Sequence, residues 1–353
     1  MSDRVQRHVV LVTGGTGLIG GETILALAKA GARVLAVVRA QSPDHARARL
    51  TERLERSNDF HRGLLASIEA LPGDTTRPLF GLSPEALAPV NAVVHCAANT
   101  EFSHLEDECV WNTNLSGAQH LVDVGHTLAP GARIVFVSTA SVTTAPERTT
   151  ITEDTPYAGH ANTYSRSKRE AEQLLTASGL DPVIVRPSIV LSRGIHDRVM
   201  ARSILWAVPI MGELGDVPVD EDAAIDLVPV DYVARALAQL VVKPTVKHRL
   251  YHVSAGRSAR TFGEVCSAIT ARHPEIGRIR GIGRHRKVAG RGRGRLMKPL
   301  EAYLPFINAG VRYANDRLSE EAGHLVAPDA LSYVPDLVGL ITLREALSEM
   351  YRP

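Results

Sequence analysis

A glycine-rich turn near the start of the chain constrains its fold more than any other feature. Residues 8–13 form an apolar run, and the sequence TGGTGLIG then places Gly14, Gly17 and Gly20 at intervals of three. Glycine permits a tight turn and lets the backbone approach a diphosphate closely. A helical pattern follows at once, and the free N–H groups at a helix start bind phosphates. This strand–turn–helix order predicts a dinucleotide-binding βαβ unit.

Apolar runs and helical patterns alternate through the first 190 residues. This rhythm predicts an α/β fold of the Rossmann type, with a doubly wound parallel sheet. Valine, isoleucine and leucine fill the strands almost continuously, so both faces of the sheet should be covered. The predicted strands are 8–13, 33–38, 67–71, 92–95, 133–138, 182–185 and 250–253, and the predicted helices are 18–30, 43–56, 110–128, 163–178, 230–242 and 343–351.

The regular rhythm breaks after residue 186, where segments rich in proline and glycine follow. We predict a cofactor-binding domain over 1–190 that is completed by a strand near 249–254. A smaller lobe over 191–353 would mainly bind the substrate. This C-terminal substrate lobe is expected to be interleaved with the last strands of the sheet rather than joined by a linker.

The composition limits the class of protein. Lys and Arg number 40 against 38 Asp and Glu, so the net charge of +2 predicts no global attraction to nucleic acid or to a membrane surface. The three cysteines are scattered without metal-ligand or redox spacing, which favours reduced thiols. The apolar run 204–211 is far shorter than the roughly 20 residues of a membrane span. We therefore expect a cytoplasmic protein with no metal, no nucleic-acid partner and no membrane span.

A basic residue ends the second predicted strand, where the ribose of a bound dinucleotide would lie. An acidic residue there binds the 2′-hydroxyl of NADH, whereas Arg39 suits the 2′-phosphate of NADPH. Arg47 or Arg49 in the next predicted helix would add a second contact, and the alternative is that these are solvated charges on a surface helix. The sequence predicts NADPH as the cofactor.

Tyr164 and Lys168 lie four residues apart, which places them on one face of a predicted helix. They follow Thr139, at the end of a predicted strand, by 25 and 29 residues. A free phenol has a pKa of about 10, too high for efficient proton transfer near neutral pH, and a neighbouring ammonium lowers it. We expect Lys168 to lower the pKa of Tyr164 and to hydrogen-bond the nicotinamide ribose.

Together these motifs resemble those of the extended short-chain dehydrogenase/reductase superfamily, from the glycine turn TGGTGLIG to the active-site helix YSRSK. The resemblance implies that Tyr164 and Lys168 are catalytic and that Thr139 polarises the substrate carbonyl. It also implies that Asn114, in the segment NLSG, holds a water molecule in the proton relay.

The same resemblance implies the cofactor site, in which Asp74 would contact the adenine and the residues after the sixth strand would back the nicotinamide. With Arg39 and Arg49 added, the expected cofactor-binding residues are Gly14, Thr16, Gly17, Leu18, Ile19, Gly20, Asp74, Thr75, Ala97, Ala98, Lys168, Pro187, Ser188 and Ile189.

Finer motifs resemble one branch of that superfamily, the thioester reductases and fatty acyl-CoA reductases. They are VVRA, VVHCAANT, FVSTASV and VRPSIV, although Ser141 and Val142 follow the ST-A motif where the branch usually has an aromatic residue. Members of the branch use NADPH to reduce an acyl thioester, carried on CoA or a carrier protein, to an aldehyde or alcohol. The resemblance implies the same activity here, with a thioester that arrives from another protein.

Two alternatives remain open at this point. One is an extended short-chain dehydrogenase/reductase that acts on a ketone, aldehyde, sterol or nucleotide-sugar. The apolar run 204–211 suits a lipid-like or aromatic chain better than a nucleotide-sugar, or it is a core helix. The other is a cofactor-sensing regulator without chemistry, but such proteins typically lack the Tyr/Lys pair.

A basic run spans 278–298, with nine Arg and Lys residues and no Asp or Glu. Its glycine-interleaved part, 290–295, predicts a loop. Like-charge runs steer oppositely charged partners, so the run is a candidate docking surface for an acidic carrier protein or for the phosphates of CoA. The alternative is a solvated loop. Because no aromatic residues interleave with the charges, nucleic-acid binding is not expected.

Overall fold

The fold is described from a computed structural model of the chain. The residues that it describes are 8–101, 107–144, 146, 148–160, 162–194, 204–288, 293–298, 300–301, 303–339 and 342–345.

Strands occur throughout the described residues, and the seven long enough to form the central sheet lie close to their predicted positions. In chain order the strands are β1 Val9–Thr13, β2 Arg33–Val38, β3 Ile68–Pro72, β4 Ala92–His95, β5 Arg133–Val137, β6 Thr150–Ile151, β7 Val183–Pro187, β8 Ile189–Leu191, β9 Asp216–Val217, β10 Ala224–Ile225, β11 Leu227–Pro229, β12 Leu250–Val253, β13 Arg260–Thr261, β14 Arg280–Gly281 and β15 Arg312–Tyr313.

Helices separate the sheet strands and also build much of the C-terminal lobe. They are α1 Leu18–Lys29, α2 Pro43–Leu54, α3 Pro84–Leu87, α4 Asp107–Thr127, α5 Thr163–Ala177, α6 Ala207–Leu214, α7 Val230–Val242, α8 Phe262–Arg272, α9 Arg293–Met297, α10 Leu304–Ala309, α11 Asp316–Glu321 and α12 Val334–Val338.

The central sheet has seven strands in the order β12-β7-β5-β4-β1-β2-β3, and every neighbouring pair is parallel. The strand order reverses between β1 and β4. Ligands of doubly wound sheets bind beside the carboxyl ends of the strands at such a reversal. The predicted Rossmann-type fold is therefore confirmed, and its topology places the glycine turn after β1 at the ligand-binding edge.

Successive side chains of a strand point to opposite faces of the sheet, so each sheet strand supplies two cores. Val10 and Val12 of β1 join a core formed with α1, α2 and α7. Leu11, between them, joins the core formed with α4 and α5 on the other face. Both faces are thus covered by helices, as the continuous apolar strands predict.

A third core lies in the C-terminal lobe. Its residues come from the stretch of chain that runs from β8 to α12, and many of them belong to α6, α8 and α12. The chain also returns to the sheet from this part of the sequence. Helix α7 packs against α1, and β12 pairs with β7 at the edge of the sheet.

The C-terminal third differs from prediction at residues 290–295, and part of it lies outside the described residues. The glycine-interleaved residues 290–295 are expected to form a loop, but α9 spans Arg293–Met297, so the expectation is wrong for its described part. Helix α9 is anchored because Met297 is buried in the core of the lobe. Residues 289–292 lie outside the described residues, as does most of the helix predicted over 343–351, of which 343–345 are helical.

Candidate active site

The glycine turn has the geometry of a close-approach site. Gly14 has a φ of +70°, and its carbonyl oxygen accepts a hydrogen bond of 2.8 Å from the N–H of Gly17. A Cβ on Gly20 would lie 2.2 Å from that same oxygen, so only glycine fits there. Helix α1 starts after Gly17 with no side-chain cap and no acidic residue in its first turn. Its first N–H groups and its positive dipole end therefore face an anion site.

The two arginines predicted to bind the 2′-phosphate lie together at the end of β2. The Arg49 guanidinium donates a hydrogen bond to the backbone carbonyl of Arg39. Arg39 is exposed, and Arg49 is half-buried. In the part of the chain that the structure describes, neither guanidinium has a carboxylate partner, so both are available to an anion.

Asp74 and Ala97 lie at the same edge of the sheet. The Oδ1 atom of Asp74 accepts hydrogen bonds of 2.9 and 2.8 Å from the N–H and hydroxyl of Thr76. The N–H of Ala97, just after β4, donates to the Thr13 hydroxyl over 3.2 Å and lies directly beside Gly14. Thr75 and Ala98 are half-buried next to these residues.

Tyr164 and Thr139 meet at the carboxyl edge of the sheet. Thr139 follows β5, where it caps a short turn, and its hydroxyl lies 2.9 Å from that of Ser141. Tyr164 is half-buried on the first turn of α5, within reach of a hydrogen bond with the Thr139 hydroxyl. Burial raises the pKa of Tyr164 to about 12, and the Thr139 hydrogen bond opposes this rise.

Lys168 is 2% exposed, and its ammonium lies 4.0 Å from the centre of the Phe136 ring. Burial lowers the pKa of Lys168 to about 8, and the charge of Glu172 acts against this shift. The sequence leads us to expect that Lys168 lowers the pKa of Tyr164. Burial instead dominates at both residues, because the phenolate and the ammonium are each disfavoured away from water.

Asn114 is buried on α4, and its side chain holds two elements together. Its Oδ1 accepts from the N–H of Asn99 over 2.8 Å, while its Nδ2 donates to the Asn99 carbonyl and to the Ser167 hydroxyl over 3.0 and 2.9 Å. Ser167 in turn donates to the carbonyl of Tyr164 over 2.8 Å. Asn114 thus ties the loop after β4 to the helix turn that carries Tyr164.

The residues predicted to back the nicotinamide lie at the end of β7 and just beyond it. The N–H of Ser188 donates to the Val253 carbonyl over 3.1 Å, and that of Ile189 donates to the Asp226 carbonyl over the same distance. Asp226 is buried, and its carboxylate accepts from the N–H of Ala255 over 2.8 Å. Burial raises the pKa of Asp226 to about 6. These bonds fix Pro187, Ser188 and Ile189 at the carboxyl end of β7.

Several buried polar residues near the site are not found by the sequence reasoning. The guanidinium of Arg53 donates to the carbonyls of Gly17 and Leu18, both over 3.1 Å, and pairs with Glu22 over 3.2 Å. His95 is stacked between Phe80 and Phe136. Of the residues missed, only Glu172 has a sequence signal, because it lies one helical turn beyond Lys168 on the same helix. Its carboxylate accepts two hydrogen bonds from Arg186, over 2.8 and 2.6 Å.

The arrangement unites an anion cradle, the guanidiniums of Arg39 and Arg49, and a hydroxyl pair at one edge of the sheet. A neutral phenol beside a threonine hydroxyl can donate hydrogen bonds to a developing oxyanion. Among the described residues, no cluster of His, Cys, Asp and Glu could hold a metal ion. No helix in the described part of the chain combines the length and the apolar character needed to cross a bilayer.

Comparison with known proteins adds a family to this geometry. The model of the family described as "Male sterility protein", an NAD-binding family, matches residues 12–237. The glycine betaine reductase of Emericella nidulans is 25% identical over 264 residues, which are 69% of this chain and 21% of that protein. The chain spans half or less of the length of the curated relatives that it matches.

Two solved structures share the fold over nearly the whole chain. The terminal R domain of the myxalamid PKS–NRPS pathway is 23% identical with a TM-score of 0.77, covering 96% of this chain and 92% of that one. A thiolation–reductase di-domain of an archaeal non-ribosomal peptide synthetase is 18% identical with a TM-score of 0.72, covering 97% and 75%.

Proposed function

The chain belongs to the male sterility protein family of NAD-binding proteins and is an oxidoreductase of the extended short-chain dehydrogenase/reductase type, and from this premise we propose that it reduces an acyl thioester with NADPH. The observation that carries the proposal is the union of Tyr164, Thr139 and the glycine turn at one edge of the sheet. The first reduction gives a hemithioacetal, which releases the free thiol and leaves an aldehyde, and a second reduction with NADPH would take the aldehyde to an alcohol.

The residues present fit a dinucleotide phosphate. The start of α1 has no side-chain cap, so its first N–H groups are available to a diphosphate. Because Gly14 and Gly20 have no Cβ, the turn can pack directly against neighbouring backbone and bring those N–H groups into place. Arg39 and Arg49 would hold the 2′-phosphate, because neither has a carboxylate partner among the described residues. The Oδ1 of Asp74 is engaged by Thr76, so its Oδ2 would serve the adenine amino group.

The bound nicotinamide would supply the hydride for reduction of the thioester carbonyl. Tyr164 and Thr139 would donate hydrogen bonds to the carbonyl oxygen, and these bonds strengthen as negative charge develops. Because burial holds the pKa of Tyr164 at about 12, the phenol keeps its proton near neutral pH and is able to give it to the oxyanion. With a pKa of about 8, Lys168 is mainly protonated at neutral pH, so its charge favours the transfer.

Asn114 would serve as a positioning residue in this scheme. The hydrogen bonds of its side-chain amide to Asn99 and Ser167 fix the position of the helix turn that carries Tyr164. The second lone pair of its Oδ1 would hold the water molecule of a proton relay. The residues at the carboxyl end of β7 and just beyond it, from Pro187 to Ile189, would back the nicotinamide.

The kinds of protein that this chain resembles support an acyl thioester as the substrate. Reductase domains of multi-domain synthetases share the fold, and one archaeal structure joins a thiolation domain to its reductase domain. We assign cofactor binding to residues 1–190 with β12, and substrate binding mainly to the lobe 191–353. A thioester on CoA or on a carrier protein would then enter from the lobe.

The basic run 278–298 is proposed as the docking surface for an acidic carrier protein. Arg280 and Arg284 in this run are paired with Asp216 and Asp220. Arg286 and Lys287, by contrast, are exposed, and no acidic partner contacts them within the described residues. Their charges are therefore free to steer an acidic partner.

The activity is tested by mixing the protein with NADPH and a panel of acyl-CoA and acyl-carrier thioesters. We expect NADPH absorbance to fall and an aldehyde or alcohol to form. Turnover of a simple ketone, aldehyde, sterol or nucleotide-sugar, with every thioester inert, would instead identify the protein as another extended short-chain dehydrogenase/reductase.

The docking surface is tested with Arg286→Glu combined with Lys287→Glu. We expect KM for the carrier-bound thioester to rise at least tenfold at low salt, while KM for a small N-acetylcysteamine thioester stays unchanged. The matched control reverses two exposed charges elsewhere, Arg62→Glu with Lys247→Glu. Equal effects of the two double variants on carrier-bound substrate would refute a specific docking surface.

A further inference from the structure

An apolar cavity lies inside the core of the C-terminal lobe, and the sites described above leave it without a role. Its volume is about 70 Å³, and residues of α6, α8, α10 and α12 line it. Among the described residues, every one that lines the cavity is apolar except Tyr303 and Cys266, and none of them carries a charge. Because this lining offers few hydrogen-bonding groups, it favours an apolar ligand over a polar one.

The two polar groups of the lining do not change this character. Tyr303 packs edge-on against Trp206, with ring centres 5.6 Å apart, and its hydroxyl oxygen accepts a hydrogen bond from the indole N–H. Cys266 is 3% exposed, and burial raises the pKa of its thiol to about 12, so the thiol stays neutral. A polar ligand would give up its bonds to water on entry. Dry apolar cavities bind apolar ligands instead.

One end of the cavity adjoins the reaction edge of the sheet. Ile189 and Leu227 line it, and they are register partners in the pairing of β8 with β11. Ile189 directly follows Ser188, whose N–H is bonded to Val253 at the carboxyl end of β12. The lining thus combines Ile189 of the proposed nicotinamide wall with lobe residues such as Leu304 of α10 and Val334 of α12.

We propose that this cavity binds the tail of the acyl substrate, and that the tail is an unbranched hydrocarbon chain of medium length. On the same measure of volume, one water molecule occupies roughly 10–15 Å³, and a methylene group is similar in size, so the cavity holds about five to seven carbons. If two or three further carbons join the cavity to the thioester carbonyl, the preferred acyl group has about seven to ten carbons. This inference rests on the function proposed above and names its substrate class.

The chain-length profile of the reaction is the first test. N-acetylcysteamine thioesters from acetyl to dodecanoyl are assayed with NADPH. We expect kcat/KM to rise about fourfold with each added CH₂ until the cavity is full, since burial of one CH₂ is favourable by a factor of this order. The rise should stop between heptanoyl and decanoyl. A flat profile from acetyl to dodecanoyl would overturn the inference.

Three variants of the lobe sharpen this test. Ala207→Leu narrows the cavity and should move the end of the rise to shorter chains, whereas Leu304→Ala widens it and should move the end to longer chains. Leu337→Ala is the matched control, because Leu337 is buried in the same core but does not line the cavity. It should leave the end of the rise in place. Activity on the acetyl thioester reports whether each variant is folded.

Binding of 1-octanol, measured by calorimetry without NADPH or thioester, separates this inference from the proposed function. If no thioester is reduced, but 1-octanol binds at least tenfold more tightly than 1-butanol and Ala207→Leu removes that binding, the cavity site stands without the proposed function. If thioesters are reduced with a flat profile and 1-octanol does not bind, the cavity is a packing void only, and the inference fails while the proposed function stands.

Discussion

Replacing Arg53 with methionine should destabilise the protein strongly, although the residue lies outside the proposed catalytic group. Arg53 and Glu22 are only 3% and 4% exposed, and they pair over 3.2 Å beneath the glycine turn. Removing one partner of a buried ion pair leaves the other charge uncompensated, which costs about 3–5 kcal/mol. We expect Arg53→Met to lower the free energy of unfolding by this amount at pH 8.

The pH dependence of the loss gives a second, independent signature. Burial already raises the pKa of Glu22, and removal of the guanidinium would raise it further. A carboxyl group whose pKa is higher in the folded state binds more protons there, so its charging destabilises the fold as pH rises above its unfolded pKa of about 4.5. The gap between the wild type and Arg53→Met should therefore widen from pH 5 to pH 8.

Urea unfolding followed by circular dichroism measures both effects. The control is Arg56→Met, which removes a partly exposed partner of Glu52 and should change the free energy of unfolding by no more than about 0.5 kcal/mol. Adding Glu22→Gln to Arg53→Met should restore at least half of the loss, because neither position of the pair then carries a buried charge. A loss below about 1 kcal/mol in the single variant would refute the reasoning.

Three further predictions concern the site itself. Tyr164→Phe should lower kcat by about 10²–10⁴-fold with NADPH affinity nearly unchanged. The control Tyr157→Phe, at an exposed tyrosine, should leave kcat unchanged. Full activity of Tyr164→Phe would show that Tyr164 is not the proton donor. Arg39→Asp should weaken NADPH binding about 10- to 100-fold in a binding titration and leave NADH within about threefold, and equal losses for both cofactors would contradict the 2′-phosphate contact. Burial and the charge of Lys168 lower the pKa of His95 to about 3, so the unfolded state binds its proton first. The free energy of unfolding should fall by up to about 1.4 kcal/mol per pH unit as pH drops from 6.5 to 3, and a wild-type slope in His95→Gln would contradict this.

Much of the fold follows from local sequence, because the apolar strands and the glycine turn are each written in consecutive residues. The predicted strand 92–95 matches β4 in full, and that at 33–38 matches β2. The two-residue strands of the lobe escape prediction, since each exists only through a distant partner, as β15 does through β6. A residue pair of that kind has no periodicity to detect.

The candidate site was predictable where a motif carries the chemistry and not where burial decides it. Gly14 and Arg39 are legible from their places after β1 and β2. Arg53 and Glu22 lie 31 residues apart and look like ordinary helix charges until the fold brings them together. The pKa of Tyr164 is likewise set by its surroundings, because loss of water outweighs the hydrogen bond with Thr139.

The late return of the chain to the sheet has a consequence for how the protein is made. Until β12 has emerged from the ribosome, β7 is an edge strand that only β5 can pair with, and α1 lacks the cover of α7 until shortly before that. An open edge of this kind is a template for pairing with other chains. The nascent protein is therefore most prone to aggregate while the lobe is being synthesised, and a polypeptide truncated at the end of β7 would make that transient hazard permanent.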